Sequence, residues 1–358
     1  MSKKINLIFS IDQLNIGGKE KRLLMLLKNL NRKKYNISLI HMSNAGELLI
    51  DYKNNVDKIF SLPRKIKWDP FLFSRANKLI LLNKPHLIIS FDWMSAFYMR
   101  RIAKYQNITF INASISDANK KISLIKLLKK YDLNKSDYVI SNSKAGLKAY
   151  GLTESNKIIV INNGIKIGEK TNQNNNRDIT NIGMVGNLTY TKNFPLIFKS
   201  LAILKQKNHA FHFFIVGTGP RKKEFITILI KYDLIKEVTF LGIKNNVNKI
   251  IRMFDIGVHA SYKKTGEGFS NAIMEYMANA KPVVATSIGG TKELIKQSKG
   301  GFLISKNNEI AYAKALENLL LNRSLRKKMG NYNYQYIINN LLLDKMVSRY
   351  EEFFKKIC

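Results

Sequence analysis

Two carboxylates and a run of backbone amides stand together in TGEGFSNAIMEYMA (265–278), where Glu267 and Glu275 have seven residues between them. The chain holds only 25 acids against 60 Lys and Arg, so two acids in one short stretch need a reason. The glycines followed by Ser270 and Asn271 predict a loop entering a helix, with either polar residue as its N-cap. The first amides of such a helix, on Gly268, Phe269, Ser270 and Asn271, lack partners within it, and the helix dipole adds positive potential there. That combination fits a diphosphate or sugar hydroxyls. Glu267 on the loop can accept hydrogen bonds from hydroxyls, and Glu275, one turn into the helix, suits a bidentate grip on a ribose diol. The plainer reading makes Glu275 a favourable acid near a helix start and Glu267 a solvated loop residue.

Short apolar runs alternating with helical patterns must position these residues. INLIFSI (5–11), NISLIHM (36–42), HLIISFD (86–92), ITFINAS (108–114), DYVISNS (137–143) and IIVINNGI (158–165) read as strands, and KEKRLLMLLKNLN (19–31) has leucines at helical spacing. The polar, Asn-rich KIGEKTNQNNNRD (166–178) reads as a linker. NIGMVGN (181–187), FHFFIVG (211–217), VTFLG (238–242), DIGVHAS (255–261) and KPVVATS (281–287) then repeat the theme, with GFLI (301–304) as a short edge strand and helices to the end. Continuous apolar strands separated by helices imply parallel sheets covered on both faces. The expected architecture is α/β with two doubly wound Rossmann-like domains, 1–165 and 179–340, facing a central cleft. A C-terminal helix, 341–358, crosses back to the first domain.

EGFSNAIMEYMAxxKPVVAT closely resembles the donor-site stretch of the retaining glycosyltransferases of family 4, once called glycosyl transferases group 1, whose fold is GT-B. By that resemblance Glu267 contacts the transferred sugar and Glu275 the nucleotide ribose. IGGKEKR (16–22) is similar to the family's glycine-rich loop, where Gly17 and Gly18 let the backbone approach a phosphate. MVGNLTYTKNF (184–194) looks like the start of the nucleotide domain, where an Arg and a Lys clamp the donor diphosphate; Lys192 falls on the lysine position, but Asn187 stands where the arginine would. FIVGTGPRKKEF (214–225) resembles the Gly-x-Gly-Pro turn and brings Gly217, and VTFLG (238–242) resembles the strand whose following loop holds the base, which by that resemblance implies the backbone of Ile243 and Lys244. The acceptor-side loop NASISDAN (112–119) lacks the histidine that many members carry; Ser116 and Asp117 are the polar residues there, and capping is their plainer role.

The resemblance implies a hexosyltransferase that moves a sugar from a nucleotide-diphosphate sugar, with UDP favoured over GDP. The acceptor would be a glycan or lipid-linked glycan of a bacterial surface polysaccharide: capsule, O-antigen or lipopolysaccharide. Glu267 and Lys192 are the expected catalytic residues, with no cofactor and no metal. His41, His86, His209, His212 and His259 are scattered without a ligand-like spacing. Two other functions remain in view: a nucleotide-sugar epimerase of the same fold, which needs a proton-transfer group, and a basic nucleic-acid-binding protein. The second is disfavoured because net charge divides evenly, +18 over 1–165 and +17 over 166–358, without a clustered arm.

Net charge of +35 still favours anionic partners, an anionic membrane surface among them. KKISLIKLLKKYDL (120–133) aligns Leu124, Ile125, Leu128 and Tyr131 along one helical face beside lysines. That stripe reads either as a face packed on the sheet or as an interfacial membrane face. No apolar run reaches the roughly 18 residues of a membrane span, and the one cysteine, Cys358, suits a reducing compartment. A cytoplasmic location follows as the expectation, peripheral on the inner membrane face.

Overall fold

A computed structural model describes residues 4–66, 68–119, 123–168, 179–262, 264, 266–305 and 307–358. Most of the sequence-predicted linker, residues 169–178, lies outside the described residues, as do 120–122 of the amphipathic stretch and Thr265 of the loop. The chain divides into two compact units, Met1–Gly164 with Leu343–Cys358, and Ile165–Leu342.

Unit 1 is built on a parallel sheet of β1 (Ile5–Ile11), β2 (Tyr35–His41), β3 (Lys58–Ser61), β4 (Leu87–Ser90), β5 (Thr109–Ile115), β6 (Tyr138–Ser141) and β7 (Ile158–Val160). Its spatial order is β3-β2-β1-β4-β5-β6-β7. All four residues of β4 are buried, as a strand covered on both faces requires. Sequence periodicity did not single out β3. It is a four-residue edge strand with no buried side chain, so it carries neither an apolar run nor a clear alternation.

The helix Leu343–Ile357 completes this unit. Leu343, Met346, Val347, Tyr350, Phe353 and Phe354 recur at three- and four-residue steps and are all buried. Phe354 meets the rings of Phe9 and Tyr35 at 6.3 and 6.0 Å, and Phe353 meets Tyr138 at 5.4 Å.

Another helix of unit 1, Leu124–Asn134, behaves differently. Of its side chains only Asp132 and Leu133 are buried. Of the expected stripe, Leu124, Ile125 and Tyr131 are exposed and Leu128 is half-buried, and Leu127 is exposed too, so most of the apolar stripe is not packed on the sheet. Asp132 holds the helix instead. It binds Arg100 at 2.8 Å and Arg101 at 3.1 Å, and accepts from Trp93 Nε1 at 3.3 Å, all from the helix Trp93–Tyr105.

Unit 2 carries β8 (Thr180–Val185), β9 (Phe211–Val216), β10 (Val238–Gly242), β11 (Ile256–His259), β12 (Val283–Thr286) and β13 (Gly301–Ile304), ordered β10-β9-β8-β11-β12-β13, all parallel. GFLI is the edge strand expected. Two apolar clusters cover its faces, one with Ile182, Met184 and the helix Phe194–Gln206, the other with Val283, Ala285 and the helix Asn271–Ala278. Each unit reverses its strand order beside its first strand, at β1/β4 and at β8/β11. Open α/β sheets bind ligands at that reversal, beyond the carboxyl ends of the strands. Among the described residues no helix is long and apolar enough to cross a membrane.

Candidate functional site

In unit 2 the loops leaving the strand ends are stitched together by backbone bonds. Gly186 and Leu188 donate to Val216 and Thr218, Gly217 donates to Gly242, and Asn193 donates to Ala260, each at 2.9–3.0 Å. Gly217 is required here for two reasons. Its φ is +138°, and a Cβ would sit 2.3 Å from the Gly186 carbonyl oxygen. Across the reversal, Ser261 donates its amide to the Thr286 hydroxyl at 3.0 Å and Gly290 donates to the Glu267 carbonyl at 3.0 Å.

Lys192, on the loop after β8, and Glu267, on the loop after β11, meet at the β8/β11 reversal. The Lys192 ammonium donates to Glu267 Oε2 at 2.8 Å, and the Ser261 hydroxyl reaches the same oxygen at 2.8 Å. His259, the last residue of β11, brings Nε2 within 3.3 Å of both Oε2 and the Lys192 nitrogen. The ring is wholly buried, and its Nδ1 has no partner among the described residues.

The electrostatics follow from that packing. Burial alone would raise the Glu267 carboxyl, but the Lys192 ammonium and then His259 outweigh it and hold the group well below the ordinary carboxylate range. Burial lowers the His259 imidazole, and the Lys192 charge lowers it further. Glu267 is therefore an ionised acceptor fixed by several donors, a poor nucleophile but a good orienting group for a hydroxyl.

Both shifts have the same sign for stability. An unfolded chain takes up a proton on His259 near pH 6.5 and on Glu267 near 4.5, while the folded chain resists both. Stability of unit 2 is expected to fall as pH drops below 6.5, from His259 first and from Glu267 below 4.5. Each such proton contributes about 1.4 kcal/mol per pH unit across its window. Urea titrations followed by circular dichroism, wild type against His259→Gln, check this. The variant should lose the upper part of the slope.

The remaining sequence-predicted residues are placed as follows. Ser270 is the N-cap of the helix Asn271–Ala278, but its side chain makes no cap bond, so its hydroxyl does not close the helix start. Gly268 is buried, and its carbonyl would lie 2.4 Å from a Cβ on Gly290, which fixes the path of the loop. Phe269 is buried in the apolar cluster beneath, Asn271 is half-buried, and Glu275 follows in the same helix, half-buried. Asn187 is exposed, as are Ile243 and Lys244 after β10. Gly17 and Gly18 belong to unit 1, where Gly17 is the N-cap of the helix Gly18–Asn29. Sequence reasoning missed His259. A lone histidine ending an apolar strand carries no local sign that its ring will meet residues from two loops.

Comparison with known proteins agrees with this arrangement. The model of the glycosyl transferases group 1 matches residues 167–336, and that of glycosyltransferase family 4 matches residues 16–169. The putative glycosyltransferase EpsD of Bacillus subtilis is 28% identical over 143 residues, 40% of this chain and 37% of that protein. The capsular polysaccharide biosynthesis glycosyltransferase CapM of Staphylococcus aureus is 24% identical over 361 residues, 90% of this chain and 92% of CapM. The crystal structure of Anabaena HepE in complex with UDP and glucose superposes with a TM-score of 0.85 and 16% identity, covering 98% of this chain and all of that one. With both family models matched in turn across residues 16–336, the chain belongs to the group 1, family 4 glycosyltransferases and has their GT-B fold.

Proposed function

We propose that this glycosyltransferase moves a sugar from a UDP-sugar to a growing bacterial surface glycan, with retention of configuration and without a metal ion. The observation that carries the reading is the Lys192–Glu267 pair at the β8/β11 reversal, beside the amides of residues 268–271. A glycosyl–diphosphate bond breaks through an oxocarbenium-like state while charge grows on the leaving phosphate. Lys192, the loop amides and the helix dipole would stabilise that charge. Glu267, ionised and held, would bind sugar hydroxyls. The bond from sugar carbon to diphosphate breaks, the acceptor oxygen bonds to that carbon on the same face, and the hydroxyl proton passes to the leaving phosphate oxygen.

UDP as the nucleotide is supported by the HepE complex, and a surface glycan as product by the capsular role of CapM. A lipid-linked acceptor at the cytoplasmic membrane face accords with the net charge of +35.

Calorimetry with UDP, GDP and a panel of their sugars, in EDTA, tests the donor side. UDP should bind, and Glu275→Ala should weaken it about tenfold, the worth of roughly one charge-assisted bond. Absence of nucleotide binding by folded protein would overturn the reading. The anomeric configuration of the product, read by NMR, tests retention.

His259 gives a second reading some support. An epimerase of this fold needs a proton-transfer group, and a neutral imidazole stands beside Glu267. That activity would convert the UDP-sugar in the absence of any acceptor, which NMR of donor alone would show.

A further inference from the structure

Unit 1 gathers both tryptophans of the chain at the carboxyl edge of its sheet. Trp68 lies on the loop after β3, and Trp93 opens the helix Trp93–Tyr105 that follows β4. Their rings meet edge-on at 5.6 Å, and Phe97, one turn further along that helix, meets the Trp68 ring at 4.9 Å. Trp68 is nevertheless 40% exposed, and its indole nitrogen has no partner among the described residues. Large rings are mostly covered in a folded chain, so an open one held in place marks a binding surface.

The loop that presents Trp68 is pinned. Asp69, 1% exposed, accepts from the amides of Lys65 and Phe71 at 3.2 and 3.0 Å and pairs with Arg75 at 2.7 Å. Arg64, on the same loop, donates its amide to the Met42 carbonyl after β2 and its guanidinium to Asp12 Oδ1 after β1, the latter at 2.6 Å. Asp12 in turn donates its amide to Asp92 Oδ2, after β4, at 2.5 Å. The exits of β3, β2, β1 and β4 are thus joined around the strand-order reversal of this unit, where ligands of such sheets bind. Both guanidinium bonds fall on Oδ1 of Asp12, and its Oδ2 has no donor among the described residues. That oxygen can accept from a hydroxyl. The loop after β5, residues 112–119, carries no aromatic ring.

A flat apolar ring sharing a loop with fixed polar groups suits a sugar. One face of a pyranose presents C–H groups, which pack on the electron-rich face of an indole, while its hydroxyls bond to polar groups at the rim. We propose that Trp68, backed by Trp93 and Phe97, is the platform on which a pyranose ring of the acceptor stacks, with Asp12 Oδ2 accepting from one of its hydroxyls. The assignment rests on the glycosyl-transfer reading above. It makes a sugar ring, and not a lipid tail or a phosphate, the part of the acceptor that this surface recognises.

No other tryptophan exists in the chain, so its indole emission reports this surface alone. The test titrates the full chain with methyl glycosides of glucose, galactose, mannose, rhamnose and N-acetylglucosamine, reading indole emission and saturation-transfer NMR, beside calorimetry of UDP binding. At least one glycoside should shift the emission and receive saturation most strongly on the C–H protons of one ring face. Trp68→Ala should weaken its binding about tenfold or more, Trp68→Phe should weaken it less, and both should keep the UDP affinity of wild type. Tyr105→Ala is the control. Its ring is 80% exposed at the far end of the helix that Trp93 opens, and its loss should leave glycoside binding unchanged. Melting curves confirm that each variant folds. Wild type that binds UDP but none of the glycosides overturns the platform and leaves the donor reading intact. A glycoside bound as tightly by Trp68→Ala as by wild type also overturns it. A chain that binds a glycoside through Trp68 but no UDP keeps the sugar platform and loses the donor reading.

Discussion

Lys192→Ala is expected to lower kcat/KM by about 10²–10³-fold, the usual effect of removing one preorganised group that stabilises charge in a transition state. The same change leaves the Glu267 carboxylate, 18% exposed, with Ser261 and a neutral His259 but no cation. Its pKa should then rise, and unit 2 should lose about 1–3 kcal/mol, the cost of an ionic group deprived of a partner in a buried place. The double variant Lys192→Met/Glu267→Gln separates the two effects. Removing both charges should restore most of the stability, because no unpaired carboxylate remains, but transfer should stay low. Urea titration gives the first quantity and steady-state kinetics the second. If Lys192→Ala keeps full turnover per folded molecule, the pair is structural and the proposed role of Lys192 fails.

The second large effect is expected in unit 1. Asp132→Ala removes the carboxylate that Arg100 and Arg101 share, and leaves Arg100, 8% exposed, as a buried unpaired cation. Breaking a buried pair from one side costs about 3–5 kcal/mol. Glu154→Ala is the contrasting control. Its pair with Lys144 is at the surface, with side chains 45% and 74% exposed, and its loss should cost about 0–1 kcal/mol. Trp93, which donates to Asp132, reports the change directly through its fluorescence during urea unfolding. A cost near that of the control would mean that Leu133 and the backbone, not Asp132, secure the helix.

These residues also show what the sequence could and could not reveal. Strands such as LIIS and VVAT announce themselves, because burial on both faces demands an unbroken apolar run. Lys192 and Glu267 were legible as members of two motifs, but their contact spans 75 residues and exists only because β11 lies beside β8. Nothing local encodes that neighbourhood. His259 was invisible for the same reason, since its partners arrive from two loops. In the helix Leu124–Asn134, periodicity showed that two faces existed but not which one turns inward. Asp132 decides that, and its arginine partners sit on another helix. The edge strand KIFS was too short and too exposed to leave a periodic trace.

The helix Leu343–Ile357 sets an order of events during synthesis. Unit 1 begins at the first residues of the chain, yet its aromatic core contains Tyr350, Phe353 and Phe354. Unit 2 is continuous from Ile165 to Leu342, so all of its residues are synthesised, and emerge, ahead of those three. The unit translated first therefore finishes last. Until the final helix emerges, Phe9, Tyr35 and Phe91 lack the rings that cover them, and nascent unit 1 presents an open apolar groove that chaperones would recognise. A chain ended at residue 342 and held on the ribosome by a flexible tether long enough to span the exit tunnel should carry a finished second unit and a first that is still protease-sensitive.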